Sequence, residues 1–445
     1  MSVIDFLKAR LLENADERVL GFRGESVTGR QLFGQIEASK RWLADQGVGS
    51  GTTVVLIGDF TFEAIGHLLA LVELGAITAP LTRATLRSVE EQLDEIEPDL
   101  IVDAEQSSVE RRARPVVANA HYQALRERDA AGLVLFTSGS TGRPKAVVHD
   151  FSRLLEKFHD VRPAMVTLNF LLFDHWGGLN TLLHSLSSGS MLVLPDSRKP
   201  DDICTMIDRY RIELLPATPS FLNMLLISGA VQRHDLSSLK VISFGAEPMP
   251  ASTLDRLRVT FPAVDLRQTY GMIELGVLRA KSRSDGSLWV KLGGKGYDLR
   301  VVDGMLEIKA TATMLGYINH PSPITEDGYF RTGDLVEEDG EYLKILGRKS
   351  DLINVGGQKV YPAEVETVLL EVDGVLDASV HGEAHVLTGK IVVARVVIPE
   401  GHDPAEMRKT IKRHCAERLQ PYMVPTKISF ETGQLQNHRL KRQRL

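Results

Sequence analysis

Cysteine is scarce in this chain. There are two in 445 residues, Cys204 and Cys415, too far apart in sequence for a metal-type motif. That excludes a disulfide framework and a cysteine-based metal module, and it suits a reducing, cytoplasmic setting. A basic excess is missing as well. Lys and Arg number 52 against 58 Asp and Glu, a formal net charge of −6, so nothing in the overall balance favours a nucleic-acid partner. Long hydrophobic runs are absent too. The longest apolar stretch, Ala64 to Leu81, contains His67 and Glu73 and is broken by Gly75 and Pro80, so no membrane span is expected. Met1 to Glu13 mixes Asp5, Lys8, Arg10 and Glu13 into its apolar positions, which does not read as a secretory signal.

What is present is a globular composition, 43% hydrophobic and 25% charged, in a chain long enough for two or three domains. The first two thirds alternate helical and strand patterns. Helix-like Gln31 to Gln46, Phe62 to Leu74 and Arg87 to Ile96 precede strand-like Thr53 to Gly58, Ala76 to Leu81 and Leu100 to Asp103. The alternation resumes with the strands Met191 to Leu194, Glu213 to Pro216 and Lys240 to Phe244, separated by the helices Ile203 to Tyr210 and Pro219 to Ile227. Such alternation predicts parallel sheets covered by helices. After about Leu288 short strands with turn signals predict a smaller antiparallel part: Leu299 to Val302, Met305 to Ile308 and Tyr342 to Ile345. The last hundred residues combine helical Pro362 to Leu370 and Pro404 to Arg418 with strand-like Ile391 to Ile398, as expected for a separate small domain. The fold class is therefore α/β. It has a large N-terminal domain, residues 1–348, of parallel sheets flanked by helices plus an antiparallel subdomain, and a small α+β C-terminal domain, residues 349–445.

The most informative stretch runs from Leu133 to His149. Leu133 to Phe136 form a short apolar run, the pattern of a buried strand. The strand opens into Thr137, Ser138, Gly139, Ser140, Thr141 and Gly142, closed by Pro144 and Lys145. Two glycines allow the backbone to approach an anion, the hydroxyls donate and the lysine adds charge, so the loop suits phosphate. Neither GxxxxGK[ST] nor a helix-opening GxGxxG fits its spacing. A polar turn with a surface lysine has the same composition.

Four further motifs follow in fixed order: Ser243-Phe244-Gly245-Ala246-Glu247-Pro248, Gln268-Thr269-Tyr270-Gly271-Met272-Ile273-Glu274, Tyr329 to Asp334 continuing to Gly347-Arg348-Lys349-Ser350-Asp351, and the basic terminus around Lys441 and Arg444. Together with the loop they resemble the adenylate-forming superfamily of acyl-CoA synthetases, amino-acid adenylation domains and luciferases, over nearly the whole chain. The resemblance implies that Thr137 to Gly142 and Lys145 hold the ATP phosphates, and that Gly245, Ala246 and Glu247 lie against the adenine. It implies that Gln268, Thr269, Tyr270 and Gly271 contact the base, that Asp334 holds the ribose and that Arg348 makes a second nucleotide contact. Thr141 and Glu274 are implied as Mg²⁺ ligands, a hard-oxygen set that suits this ion. Ser350 stands at the hinge, and Gly356 and Gly357 line the thiol channel.

Phe173-Asp174-His175-Trp176-Gly177-Gly178-Leu179-Asn180 resembles the segment that lines the family's acyl pocket. The implied pocket is His175, Trp176, Gly178, Leu179, Gly245, Gly271, Met272 and Ile273. Asp174 keeps a rival open, because amino-acid adenylation domains use an aspartate there for the α-ammonium. The chain departs from the pattern three times. Ser350 stands where the family's hinge residue is usually charged. Ile273 replaces a threonine, and the terminal motif lacks its Pro and Gly although Lys441 and Arg444 keep their spacing. The implied catalytic residues are Lys441, Glu274, Thr141 and His175.

The implied activity is AMP-forming acid–thiol ligation: ATP-dependent activation of a carboxylic acid to an acyl-adenylate with release of pyrophosphate, then transfer to a pantetheine thiol. The cosubstrates are ATP with Mg²⁺ and either CoA or a phosphopantetheinyl carrier protein in trans. The alternatives are a stand-alone amino-acid adenylation enzyme and a catalytically weakened nucleotide-binding member.

Overall fold

The computed structural model describes residues 2–112, 119–137, 143–284, 287–431 and 435. Ser138 to Gly142 of the phosphate loop and Lys441 with Arg444 of the terminus lie outside the described residues.

Two sheets carry the alternating region. The first is ordered Gly316–Tyr317, Lys145–Asp150, Gly132–Thr137, Ile77–Leu81, Thr53–Ile57, Leu100–Asp103 and Ser108–Arg111. Its centre is parallel and its two flanks antiparallel. Thr53–Ile57 and Ile77–Leu81 are buried at every position, which is why they read as continuous apolar runs rather than alternating ones. The second sheet runs Asp265–Gln268, Val241–Phe244, Leu214–Ala217, Thr167–Leu168, Leu192–Leu194, Arg18–Phe22 and Glu25–Thr28. Only its last pair is antiparallel.

Side-chain caps fix the helices between the strands. Thr28 and Gln31 form a reciprocal capping box at the start of Gly29–Asp45, and Thr61 caps Phe62–Glu73. The expected helix Arg87 to Ile96 is corrected: a short α-helix, Arg83–Ser88, is followed by the 3-10 turn Glu90–Ile96. Thr82 accepts from Thr85 N and so starts the helix four residues early, while Val89 at φ −119° leaves helical geometry and ends it.

A third, wholly antiparallel sheet follows: Tyr270–Met272, Gly276–Ser282, Trp289–Gly293, Tyr342–Arg348, Phe330–Asp339, Met305–Ala310 and Tyr297–Val302. It begins directly after the edge strand of the second sheet, so Gln268 and Tyr270 stand on two sheets two residues apart. The C-terminal sheet pairs Gln358–Val360, Ile353–Val355, Gly389–Val397 and Asp377–His385, with Lys427–Glu431 parallel to Gly389–Val397. The helices Pro362–Leu369 and Pro404–Arg418 bury Val365, Leu369, Ile411 and Cys415 in a core made only of residues from this part. Among the described residues no helix is long and apolar enough to cross a membrane.

Candidate active site

Pairing of Phe330–Asp339 with Tyr342–Arg348 sets Asp334 opposite Arg348. Arg348 Nε reaches Asp334 Oδ1 at 2.7 Å, and the Tyr270 hydroxyl donates to Oδ2 at 2.6 Å. Arg348 Nη1 also donates to the Thr332 carbonyl, while the Thr332 hydroxyl accepts from Asp334 N. Burial raises the Asp334 carboxyl pKa, opposed by the Arg348 charge and the Tyr270 hydrogen bond. Burial pulls the guanidinium of Arg348 down, but Asp334, Tyr270 and Glu274 outweigh it and raise the net value. Two motifs 64 residues apart in sequence thus become one charged cluster in which Tyr270 and Asp334 are buried.

Glu274 is joined to the phosphate-loop strand by a tyrosine that the sequence reading missed. Tyr317 pairs with Val147 on the first sheet and donates its hydroxyl to Glu274 Oε1 at 2.8 Å. Lys145 Nζ stands 5.4 Å from the centre of the same ring, within cation–π range. Thr137 and Lys145 face each other across the base of the loop. His149, on the same strand as Lys145, donates from Nε2 to the Ile273 carbonyl at 2.7 Å. No sequence signal pairs Tyr317 or His149 with the glutamate motif, because both contacts cross between sheets.

The segment Ser243–Pro248 leaves the strand Val241–Phe244 with Ala246 at φ +71°, a left-handed conformation uncommon for a residue with a side chain. The reading that Gly245 is small for the sake of the adenine gains a second cause. A Cβ at Gly245 would lie 2.4 Å from Thr269 Oγ1 and 2.7 Å from the Thr269 carbonyl. Glu247 accepts from Ser220 N at 2.7 Å. Gln268 sits beside Phe244 with its Oε1 buried and without a hydrogen-bond partner among the described residues. Such an acceptor suits an exocyclic amino donor.

His175 caps the helix Trp176–Ser188, its Nδ1 accepting from Gly177 N at 3.0 Å. Gly178 has no room for a side chain: a Cβ there would lie 2.1 Å from the Leu172 carbonyl. Trp176, Leu179, Met272 and Ile273 are buried in one core cluster. Asp174 turns away from this helix start. Its Oδ2 accepts from both Thr82 N at 3.1 Å and the Thr82 hydroxyl at 2.8 Å, which fixes the loop to the first sheet, while Oδ1 is buried without a hydrogen-bond partner among the described residues.

Ser350 occupies the 3-10 turn Lys349–Asp351 and donates to Asp351 Oδ1. Gly356 and Gly357, at φ +58° and +88°, make the two-residue connection between Ile353–Val355 and Gln358–Val360. Two consecutive positive φ values are what a type I′ hairpin turn requires, and nothing lies within 4 Å of either missing Cβ.

With this geometry in place, comparison with known proteins decides the family. The AMP-binding enzyme model matches residues 7–307, and the AMP-binding enzyme C-terminal domain model matches residues 364–440. The chain belongs to the AMP-binding enzymes, the adenylate-forming superfamily. It is 26% identical to a 2-succinylbenzoate–CoA ligase of Listeria monocytogenes serotype 4b (strain F2365), covering 98% of each chain. It is 28% identical to an indoleacetate–CoA ligase of Aromatoleum aromaticum (strain DSM 19018 / LMG 30748 / EbN1), covering 90% of this chain and 88% of that one. Among solved structures, the anthranilate CoA ligase AuaEII in complex with anthranoyl-AMP superposes with a TM-score of 0.82 at 20% identity, over 99% of this chain and 95% of that one. The chain is an AMP-forming acid–thiol ligase by type, with the mixed α/β fold and smaller C-terminal domain expected.

Proposed function

We propose that this chain converts an aromatic carboxylic acid to its acyl-adenylate at the cluster built by Tyr270, Glu274, Asp334 and Arg348, and then to its CoA thioester. The observation that carries the reading is this convergence, in which two separate motifs meet in one polar cluster and Tyr317 ties Glu274 to the strand of Lys145. Aromatic acids are supported by the printed substrates of the relatives, succinylbenzoate and indoleacetate. CoA is supported by the same names, and a carrier protein in trans remains a second acceptor for the test to distinguish.

In the first half-reaction a carboxylate oxygen of the acid attacks the α-phosphorus of ATP, the bond to the β-phosphate oxygen breaks and pyrophosphate leaves. Positioning and charge stabilisation dominate such a step. The assigned roles are Gln268, Thr269, Tyr270, Gly271, Gly245, Ala246 and Glu247 at the base, Asp334 and Arg348 at the ribose, and Thr137 to Gly142 with Lys145 at the phosphates. Lys441 reaches the α-phosphate. In the second half-reaction the thiol sulfur attacks the acyl carbon, the acyl–phosphate oxygen bond breaks, AMP leaves and the thiol proton passes to solvent. Rotation of residues 349–445 about Ser350, bringing Gly356 and Gly357 to the thiol, belongs to this reading.

Mg²⁺ fits the residues present. Among the described residues no group of three acidic, histidine or cysteine side chains could cage a metal, and this ion is commonly held by one or two carboxylates together with substrate phosphates. Glu274, whose Oε1 takes Tyr317, would supply the carboxylate and Thr141 a hydroxyl. When bound, Mg²⁺ would neutralise phosphate charge. Two buried free cysteines suit the cytoplasmic location that belongs to this reading.

The test is acid-dependent exchange of labelled pyrophosphate into ATP across aryl, fatty and amino acids, followed by thioester assay with CoA and with a carrier protein. Exchange confined to amino acids would overturn the aryl reading, and no exchange with any acid would leave a nucleotide-binding member without catalysis.

A further inference from the structure

Lys157 is a partly buried lysine whose partners are neutral. It lies in the 3-10 turn Glu156–His159 that follows the helix Phe151–Leu155. Its Nζ donates to Asn180 Oδ1 at 2.5 Å and reaches the Val277 carbonyl at 3.4 Å, and it stands 5.0 Å from the Phe158 ring and 5.7 Å from the Trp176 ring. No carboxylate lies within ion-pair distance of it among the described residues. Burial pushes its pKa down to about 7, and the charge that bears on it is another cation, Arg162. A buried ammonium without a counter-ion is costly.

A second unsatisfied donor adjoins it. Trp176 is 2% exposed, and its Nε1 has no hydrogen-bond partner among the described residues. Gly276 leaves space in front of that atom: a Cβ on Gly276 would lie 3.4 Å from Trp176 Nε1 and 3.7 Å from the Tyr297 hydroxyl. Trp176 and Asn180, four residues apart, share one face of their helix. Val277, whose carbonyl Lys157 approaches, pairs directly with Gly271. The amine and the indole ring that carries the second donor therefore stand together, with Val277 linking them to Gly271. A structural strut between Lys157 and Asn180 accounts for one hydrogen bond, but it explains neither the charge nor the indole donor. An anion placed between them accounts for both.

We propose that Lys157, Trp176 and Asn180 form an anion subsite of the acyl pocket, and that the acid activated by this chain carries a second carboxylate which this subsite binds. The proposal rests on the adenylation reading above. Lys157 supplies the counter-charge, Trp176 Nε1 donates to one carboxylate oxygen, and Asn180 holds the ammonium in place.

The test compares matched acids that share a carbon skeleton and differ only in the second carboxylate, using pyrophosphate exchange with the full chain. The wild-type protein is expected to favour the diacid at least tenfold in kcat/KM. Lys157→Met should reduce that ratio at least tenfold, Lys157→Arg should keep a preference, and Trp176→Phe should reduce the ratio several-fold. A wild-type ratio near one overturns the proposal, as does a ratio unchanged in a folded Lys157→Met protein. If Lys157→Met does not fold, an unchanged ratio in Trp176→Phe overturns the assignment. Exchange with monoacids alone leaves adenylation intact and removes only the subsite, whereas no exchange with any acid removes both.

Discussion

The Tyr270 hydroxyl donates to Asp334 Oδ2 across 2.6 Å, while Arg348 holds the other oxygen of the same carboxylate at 2.7 Å. The residue assigned to the base and the residue assigned to the ribose are therefore positioned by each other. Tyr270→Phe should raise KM for ATP by about tenfold or more, since one hydrogen bond to a charged group contributes about 1.5–3 kcal/mol. Asp334→Asn should be more severe because it also removes the counter-charge that Arg348 pairs with. Steady-state kinetics with ATP varied will check both, and an unchanged KM in Tyr270→Phe counts against the shared positioning.

Gly245→Ala forces a methyl to within 2.4 Å of Thr269 Oγ1 and 2.7 Å of its backbone oxygen. Because the second obstacle is main chain, Thr269→Ala should not rescue it fully. The expected loss is about 1–3 kcal/mol of stability, typical of forced overpacking, with weaker ATP binding. Denaturant melts and nucleotide titration of the single and double variants measure it.

His149 is fully buried, and burial lowers its pKa to about 4, against the Ile273 carbonyl that favours the charged form. The unfolded chain, with a histidine pKa of about 6.5, binds a proton that the folded chain refuses until pH nears 4. This contribution to stability is thus complete above about pH 6.5 and is lost as pH falls towards 4, by up to about 1.4 kcal/mol per pH unit. His149→Gln, which keeps a donor for the carbonyl, should flatten the slope. Equal slopes in urea melts between pH 7 and 5 would refute the linkage.

Lys441→Ala should cripple adenylate formation, by two to three orders of magnitude if it supplies about 3–4 kcal/mol of transition-state stabilisation, and leave thiolation of preformed acyl-adenylate largely intact. Half-reaction assays separate the two. Equal loss in both halves sinks the assigned role.

Ile273 is buried, and its carbonyl is held by His149. Ile273→Thr should therefore keep the backbone in place and raise or leave unchanged the first half-reaction. A large drop would mean that the isoleucine side chain shapes the acyl pocket.

The sequence by itself determined the elements and the family. Strands such as Thr53–Ile57 and helices such as Pro404–Arg418 are written in local periodicity and caps, and five ordered motifs point to adenylate-forming chemistry. Arg83–Ser88 was missed because a cap at Thr82 and a break at Val89 carry less local signal than the apolar spacing after them. Tertiary structure alone decided who meets whom. Tyr317 reaches Glu274 because Gly316–Tyr317 pairs with the phosphate-loop strand, and Asp174 is fixed to Thr82 through one carboxylate oxygen. Lys157, an unremarked lysine in the sequence, becomes a partly buried amine beside Trp176 and Val277. Local propensity acts over a few residues, whereas burial and charge balance depend on neighbours far away in sequence, and only the folded chain brings those together.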